Sequence, residues 1–128
     1  MLFNEIMAWA CTYAVQAEAV RKAGAYANAT AIGAPYTLAW GQQAEGIINT
    51  LLNYNYSDIY AASMNEDKQG ILVDAASNLV AIYILNYDLS SYPSRTAETM
   101  LDILWSGFWR DIKILQTSQA STFIQTNP

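Results

Sequence analysis

Side chains able to move protons, hold metals or attack carbonyl carbons are scarce in this 128-residue chain. It contains no histidine. That removes the most frequent general base and metal ligand, together with the Ser-His-Asp and Cys-His nucleophile systems. Cys11 is the single cysteine, so no intrachain disulfide and no cysteine-built zinc site can form, and such usage fits a reducing compartment. Neither a GxxxxGK(S/T) phosphate loop nor a GxGxxG element occurs. Two carboxylate patterns remain. Glu98 and Asp102 stand four residues apart, a spacing that lets two carboxyls on one helix face share a proton or a cation. Beside Arg95 the same pair reads as an ordinary solvated face. The run Asn65 to Gly70, NEDKQG, opens like a calcium loop, but the later acidic ligand such a loop needs is missing, so it reads as the charged start of a helix. No catalytic residue, metal ligand or cofactor site is expected, and the chain is not read as an enzyme.

Aromatic side chains are the more informative set. The stretch LWSGFWRD places Trp105, Phe108 and Trp109 within five residues. On a helix Trp105 and Trp109 share a face while Phe108 turns away from it. Both tryptophans suit the core of a helical bundle, and both suit a contact with another subunit, where Trp and Tyr are favoured anchors. Tyr54, Tyr56 and Tyr60 divide in the same way, with the balance toward an interface because they fall in a loop. Phe123 and Ile124 are the only large apolar residues after Leu115 and complete the candidate contact set.

Charge narrows the partners. Eleven acidic and six basic residues give a net charge of −5, and charged residues make up 13% of the chain, against about 25% in a typical domain. Interface cores are depleted in charge and enriched in Tyr, Trp and Met, so the composition suits a surface committed in part to protein contacts; plain compositional drift gives the same numbers. Arg21-Lys22 is the only adjacent basic pair, too little for phosphate binding by counterion release. The opening MLFNEIMAWACTYA carries Glu5 and no basic residue, unlike a signal peptide. No membrane span is expected, because Asp74, Asn78 and Asn86 interrupt the most apolar segment and a span needs about 20 apolar residues.

The elements that must position these residues are helices. The spacing of small and apolar residues predicts a first helix from about Asn4 to Ala23, ended by Gly24. AYANATAIGAPY reads as a loop. A second helix is predicted from a Thr37 cap to about Asn53, with Trp40, Ala44, Ile47, Ile48, Leu51 and Leu52 on its stripe and Gly46 suggesting a close neighbour. A third runs from Ser63 or Asn65 to about Tyr87. Pro93 opens a fourth, with Met100, Ile103, Leu104, Phe108 and Leu115 inward and Trp105, Trp109 and Ile112 at the flanks; Gly107 permits a bend or a close contact. The expected fold is all-α, a four-helix arrangement: a single helical domain over 1–115 and an extended C-terminal arm over 116–128.

The third helix poses the main question. Leu72, Ala75, Ala76, Leu79, Ile82 and Tyr83 form one apolar face, and Val73, Val80, Ile84 and Tyr87 form another. A helix apolar nearly all round is buried on most sides. Three other helices cover part of it; the expectation is that a second copy or another protein covers the rest.

The order AEGIINTLL, a Tyr/Asn loop, LVDAASNLVAIYIL, a short loop with Ser, Pro and Arg, then RTAETMLDILWSG resembles the small helical head-tail connector (adaptor) proteins of tailed bacteriophages. The likeness spans about residues 38–107 and is one of helix order and apolar spacing. It departs in the first 35 residues, which are longer and richer in Ala, and in the loop after Asp88, which carries few of the family's polar insertions. The resemblance implies a structural virion protein of the head-tail neck, made in the host cytoplasm. It would assemble as a homo-oligomeric ring, commonly of twelve copies, below the portal protein. Such a ring continues the DNA channel, docks tail or stopper proteins, and lets viral DNA pass without specific binding; terminal arms reach neighbouring subunits. Acidic residues such as Asp74, Glu98 and Asp102 become candidates for a channel wall. A tail-completion or other neck protein is a close rival. From a different class, a small helical protein holding an apolar ligand in a cavity lined by Leu79, Ile82 and Trp105 is the alternative.

Overall fold

The computed structural model describes residues 11–57, 60, 64–93 and 95–119. Among them lie four α-helices and no strand: α1 (Gln16–Ala23), α2 (Ala34–Leu52), α3 (Glu66–Tyr87) and α4 (Thr96–Gln119), with a 3-10 turn at Leu89–Ser91 between the last two. The all-α, four-helix expectation is met.

Local chemistry sets most boundaries. Asn65 is extended, and its side chain accepts from the backbone N–H groups of Asp67 at 2.9 Å and Lys68 at 3.3 Å. A cap of this kind is worth about 1 kcal/mol, and Glu66 and Asp67 complement the positive helix end. NEDKQG is thus a helix start, as its composition suggests. Asn53 ends α2 in the left-handed region (φ 55°, ψ 43°), its N–H reaching the Asn49 and Thr50 carbonyls. Gly24 ends α1 at φ 86°, a conformation that favours glycine.

Four boundaries differ from expectation, one of them the start of α4, which lies at Thr96 behind Arg95 (φ 69°) and not at Pro93. The first helix begins at Gln16, because Cys11–Val15 is not helical; the N–H groups of Tyr13 and Ala14 donate to the Glu45 carboxylate at 2.6 and 2.8 Å instead of to a helical ladder. The part of that prediction covering residues 4–10 lies outside the described residues. In α2 the cap position is Gly33, with Pro35 in the first turn. Thr37 is buried one turn inside, where its hydroxyl donates to the Gly33 carbonyl at 2.9 Å. In α4 the helix continues through residues 116–119, assigned by sequence to an arm; no Gly or Pro interrupts them, and the Thr117 hydroxyl satisfies the Lys113 carbonyl. The remainder of the predicted arm, with Phe123 and Ile124, lies outside the described residues.

Helix α3 is the shared neighbour of α1, α2 and α4. It runs antiparallel to α2, with the Tyr36 ring tilted against Tyr87 and the Trp40 ring against Tyr83, and antiparallel to α4, with Arg110 on Asp74 and Gly107 on Asn78. Every residue from Ala75 to Ile82 is buried. Val80 is 1% and Ile84 0% exposed, while Val73 is partly buried against the core. Of that second face Tyr87, 45% exposed, is left at the surface; α1, α2 and α4 together cover most of the rest of this central helix. By length and composition α3 also passes for a membrane-crossing helix, with a hydropathy of 1.4 over its best window, contrary to the sequence reading of too little apolar length; 61% of that window is buried inside the fold, which is where a core helix belongs.

Helix α4 faces α3 through Ala97, Leu101, Leu104, Phe108, Asp111 and Leu115, the alternating four- and three-residue spacing of a helix–helix seam. Ile112 joins the core, whereas Ile103, predicted inward, points to solvent at 65% exposure. Gly107 is the close approach its sequence position suggests: a Cβ there would lie 2.9 Å from Asn78 Nδ2.

Candidate functional site

Two features rise above the background of a closed helical core: an uncharged and aromatic outer surface, and a pair of buried carboxylate clusters.

The surface is built by α2 and α4. In α2 the only ionisable residues are Tyr36 and Glu45, and Glu45 is turned inward. Its outer face therefore carries no charge from Ala34 to Leu52. Ile47 and Leu51, predicted for the core, are exposed on it and line an open groove with Gln43, Gly46 and Thr50. Nothing lies within 4 Å of a Cβ built at Gly46, so the close neighbour that glycine suggested is not part of this chain's described residues. On α4, Trp105 is 39% and Trp109 51% exposed. Each stacks edge-on against the buried Phe108, at centroid distances of 5.9 and 5.1 Å. Phe108, itself in the core, thus fixes two surface aromatics in a ridge, with Ile103 and Ile114 also outward.

The predicted contact residues divide accordingly. Trp105 and Trp109 lie at the surface and share a face. Tyr54 is exposed and packs its ring against Tyr56 at 4.8 Å. Tyr56 itself is fully buried, which corrects its assignment to an interface: the turn after α2 folds it back beneath Asn49, whose side chain accepts from the Tyr56 N–H. Tyr60 is partly buried against Tyr13, at 5.8 Å. Glu98 and Asp102 are solvated on α4, as read. Asp74 is partly exposed and is engaged by Lys22 and Arg110.

The first carboxylate cluster centres on Glu45. Its Oε2 accepts the Tyr13 and Ala14 N–H groups, and the Thr12 N–H adds to them. The Tyr13 hydroxyl donates to the Glu45 carbonyl and to Asn49 Oδ1. Burial pushes the Glu45 carboxyl above its usual range, while the three backbone donors pull it down. The same environment pushes Cys11, whose Sγ lies 3.6 Å from the Leu38 carbonyl, up to about 12, chiefly through burial and then through Glu45. A thiol so held is a poor nucleophile.

The second cluster joins α1, α3 and α4. Asp74 accepts from Lys22 Nζ at 2.8 Å, Arg110 Nη2 at 3.0 Å and Asn78 Nδ2 at 3.3 Å. Asp111 Oδ1 accepts from Arg110 Nε and Nη2 at 3.2 and 3.1 Å. Sequence reading missed both clusters. One signal was present for the second: Asp111 occupies an inward position of the α4 seam. Among the described residues no group of three or more Cys, Asp and Glu is placed to hold a metal.

Comparison of the chain with protein-family models, with curated proteins and with solved structures found no match.

Proposed function

We propose that this chain is a structural assembly protein, a head-tail adaptor that forms a homo-oligomeric ring below a phage portal, continues the DNA channel and docks tail or stopper proteins. The observation that carries the reading is the outer surface of α2 and α4. One helix presents a charge-free face with exposed Ile47 and Leu51, and another presents a rigid ridge of Trp105 and Trp109. Interface cores lack charge and favour aromatic anchors. The helix order on which the adaptor resemblance stands agrees with this fold: α2, α3 and α4 span the segments AEGIINTLL, LVDAASNLVAIYIL and RTAETMLDILWSG. No catalytic role is proposed, and DNA would pass a net acidic wall without sticking.

Apart from Tyr87, the apolar residues of α3 are covered in whole or in part within the chain, so the surface available for contacts is chiefly what α2 and α4 leave outside. The apolar-ligand alternative loses its site, since Leu79 and Ile82 are packed in the core while Trp105 stands on the outer surface.

Native mass spectrometry of the purified chain, alone and co-expressed with a portal and a tail-completion protein, tests the proposal. A closed oligomer or a stable complex with either partner is expected. A monomer under all three conditions overturns it.

A further inference from the structure

Where α3 and α4 cross, two carboxyl groups meet in a setting that two negative charges do not suit. Asp111 is 3% exposed. Its Oδ1 is occupied by the Arg110 guanidinium, but its Oδ2 is buried and meets no donor. The neighbouring group is Asp74, an acceptor already taken by Lys22, Arg110 and Asn78. The groups facing this point are Lys22 from α1, Asp74 and Asn78 from α3, and Arg110 from α4; α2 contributes none, since Glu45 is held by Tyr13 and Ala14. Gly107 permits the close approach, because any side chain there would meet Asn78.

We infer that Asp111 and Asp74 share one proton across the α3–α4 seam, and that this proton is a latch whose loss loosens the packing of α4 on α3. With the proton on Asp111 Oδ2, the orphaned oxygen becomes a donor to the Asp74 carboxylate and every polar atom of the pair is satisfied. With both groups ionised, an unpartnered anionic oxygen stays buried beside a like charge, and only Arg110, itself largely exposed, offsets it. The electrostatics of the pair agree with the geometry. Burial first, then the Asp74 hydrogen bond and charge, push Asp111 up to about 7, while the same hydrogen bond with Lys22 and Arg110 holds Asp74 below its usual range. Because the folded value of Asp111 lies above the unfolded one, its contribution to stability is fully present below the ordinary carboxyl range and is lost as pH rises through about 7. Asp74 has the opposite sign, and its contribution disappears only in acid.

Asp111→Asn tests the latch, because an amide nitrogen supplies a donor to Asp74 at every pH. The melting temperature of the unmodified chain should drop by roughly 5 °C or more between pH 5.5 and 8.5 relative to Asp111→Asn, whose profile should be flatter. Parallel profiles overturn the inference. Should the variant fail to fold, carboxyl carbon-13 titration of the unmodified chain decides: a midpoint for one aspartate near neutrality supports a shared proton, and midpoints all near 4 overturn it.

Discussion

Glu45 and Asp111 are both buried carboxyl groups with values raised by burial, yet their surroundings differ in kind. Glu45 sits in a nest of backbone N–H groups from Thr12, Tyr13 and Ala14, donors that cannot titrate and cannot leave without unfolding the segment. Asp111 sits against one exposed cation and one carboxylate, partners that are mobile or of the wrong sign. The contrast shows that burial alone does not decide what a carboxyl contributes. Glu45 organises the chain before α1 by replacing a helical ladder, whereas Asp111 is tolerated at the cost of a proton.

Substitutions separate the two. Glu45→Ala should have the largest effect, since it strands two or three buried N–H groups at about 1–3 kcal/mol each; urea denaturation should show a loss of at least about 3 kcal/mol. Glu45→Gln should lose about 1–2 kcal/mol, because a neutral amide oxygen replaces the charged acceptor of the Tyr13 and Ala14 N–H groups, while Asp111→Asn at pH 8.5 should lose nothing or gain. Equal losses in those two isosteres would erase the distinction. At Gly107, alanine adds helix propensity of about 1 kcal/mol but forces Asn78 aside, an overpacking cost of about 1–3 kcal/mol. A net loss near 1 kcal/mol in the same assay is expected, along with a shift in the Asp111 titration. Lys22→Ala removes an ion pair whose side chains are 26% and 32% exposed and should cost about 1 kcal/mol. Trp109→Arg, which gives up the edge-on contact with Phe108, should change monomer stability by about 1 kcal/mol and, smallest of all, Ile103→Lys by under about 0.5 kcal/mol; on the proposed function both should abolish oligomers in native mass spectra.

What was legible in the sequence was local. The Asn65 cap, the Gly24 stop and the placing of Trp105 and Trp109 on one face are settled by neighbours within a turn or two; whether that face points in or out was left open. The centrality of α3 was visible in its all-round apolarity. What covers α3 was not, because the answer lies in a short, charged α1 whose sequence resembles a surface helix. The failure of helix over residues 11–15 depends on Glu45, more than 30 residues away in sequence, and no pattern around Tyr13 announces it. Ile47, Leu51 and Ile103 were assigned inward because apolar residues at helical spacing usually are; the stripes on α2 and α4 are narrower than their apolar content. Asp74 and Asp111 meet only through the register of α4 on α3.

The inward turn of Glu45 has a consequence for whatever touches α2. With its single carboxylate withdrawn, that face carries no formal charge for solution ions to screen. A joint made there would ignore added sodium chloride, tighten in ammonium sulfate and bind with a negative heat-capacity change.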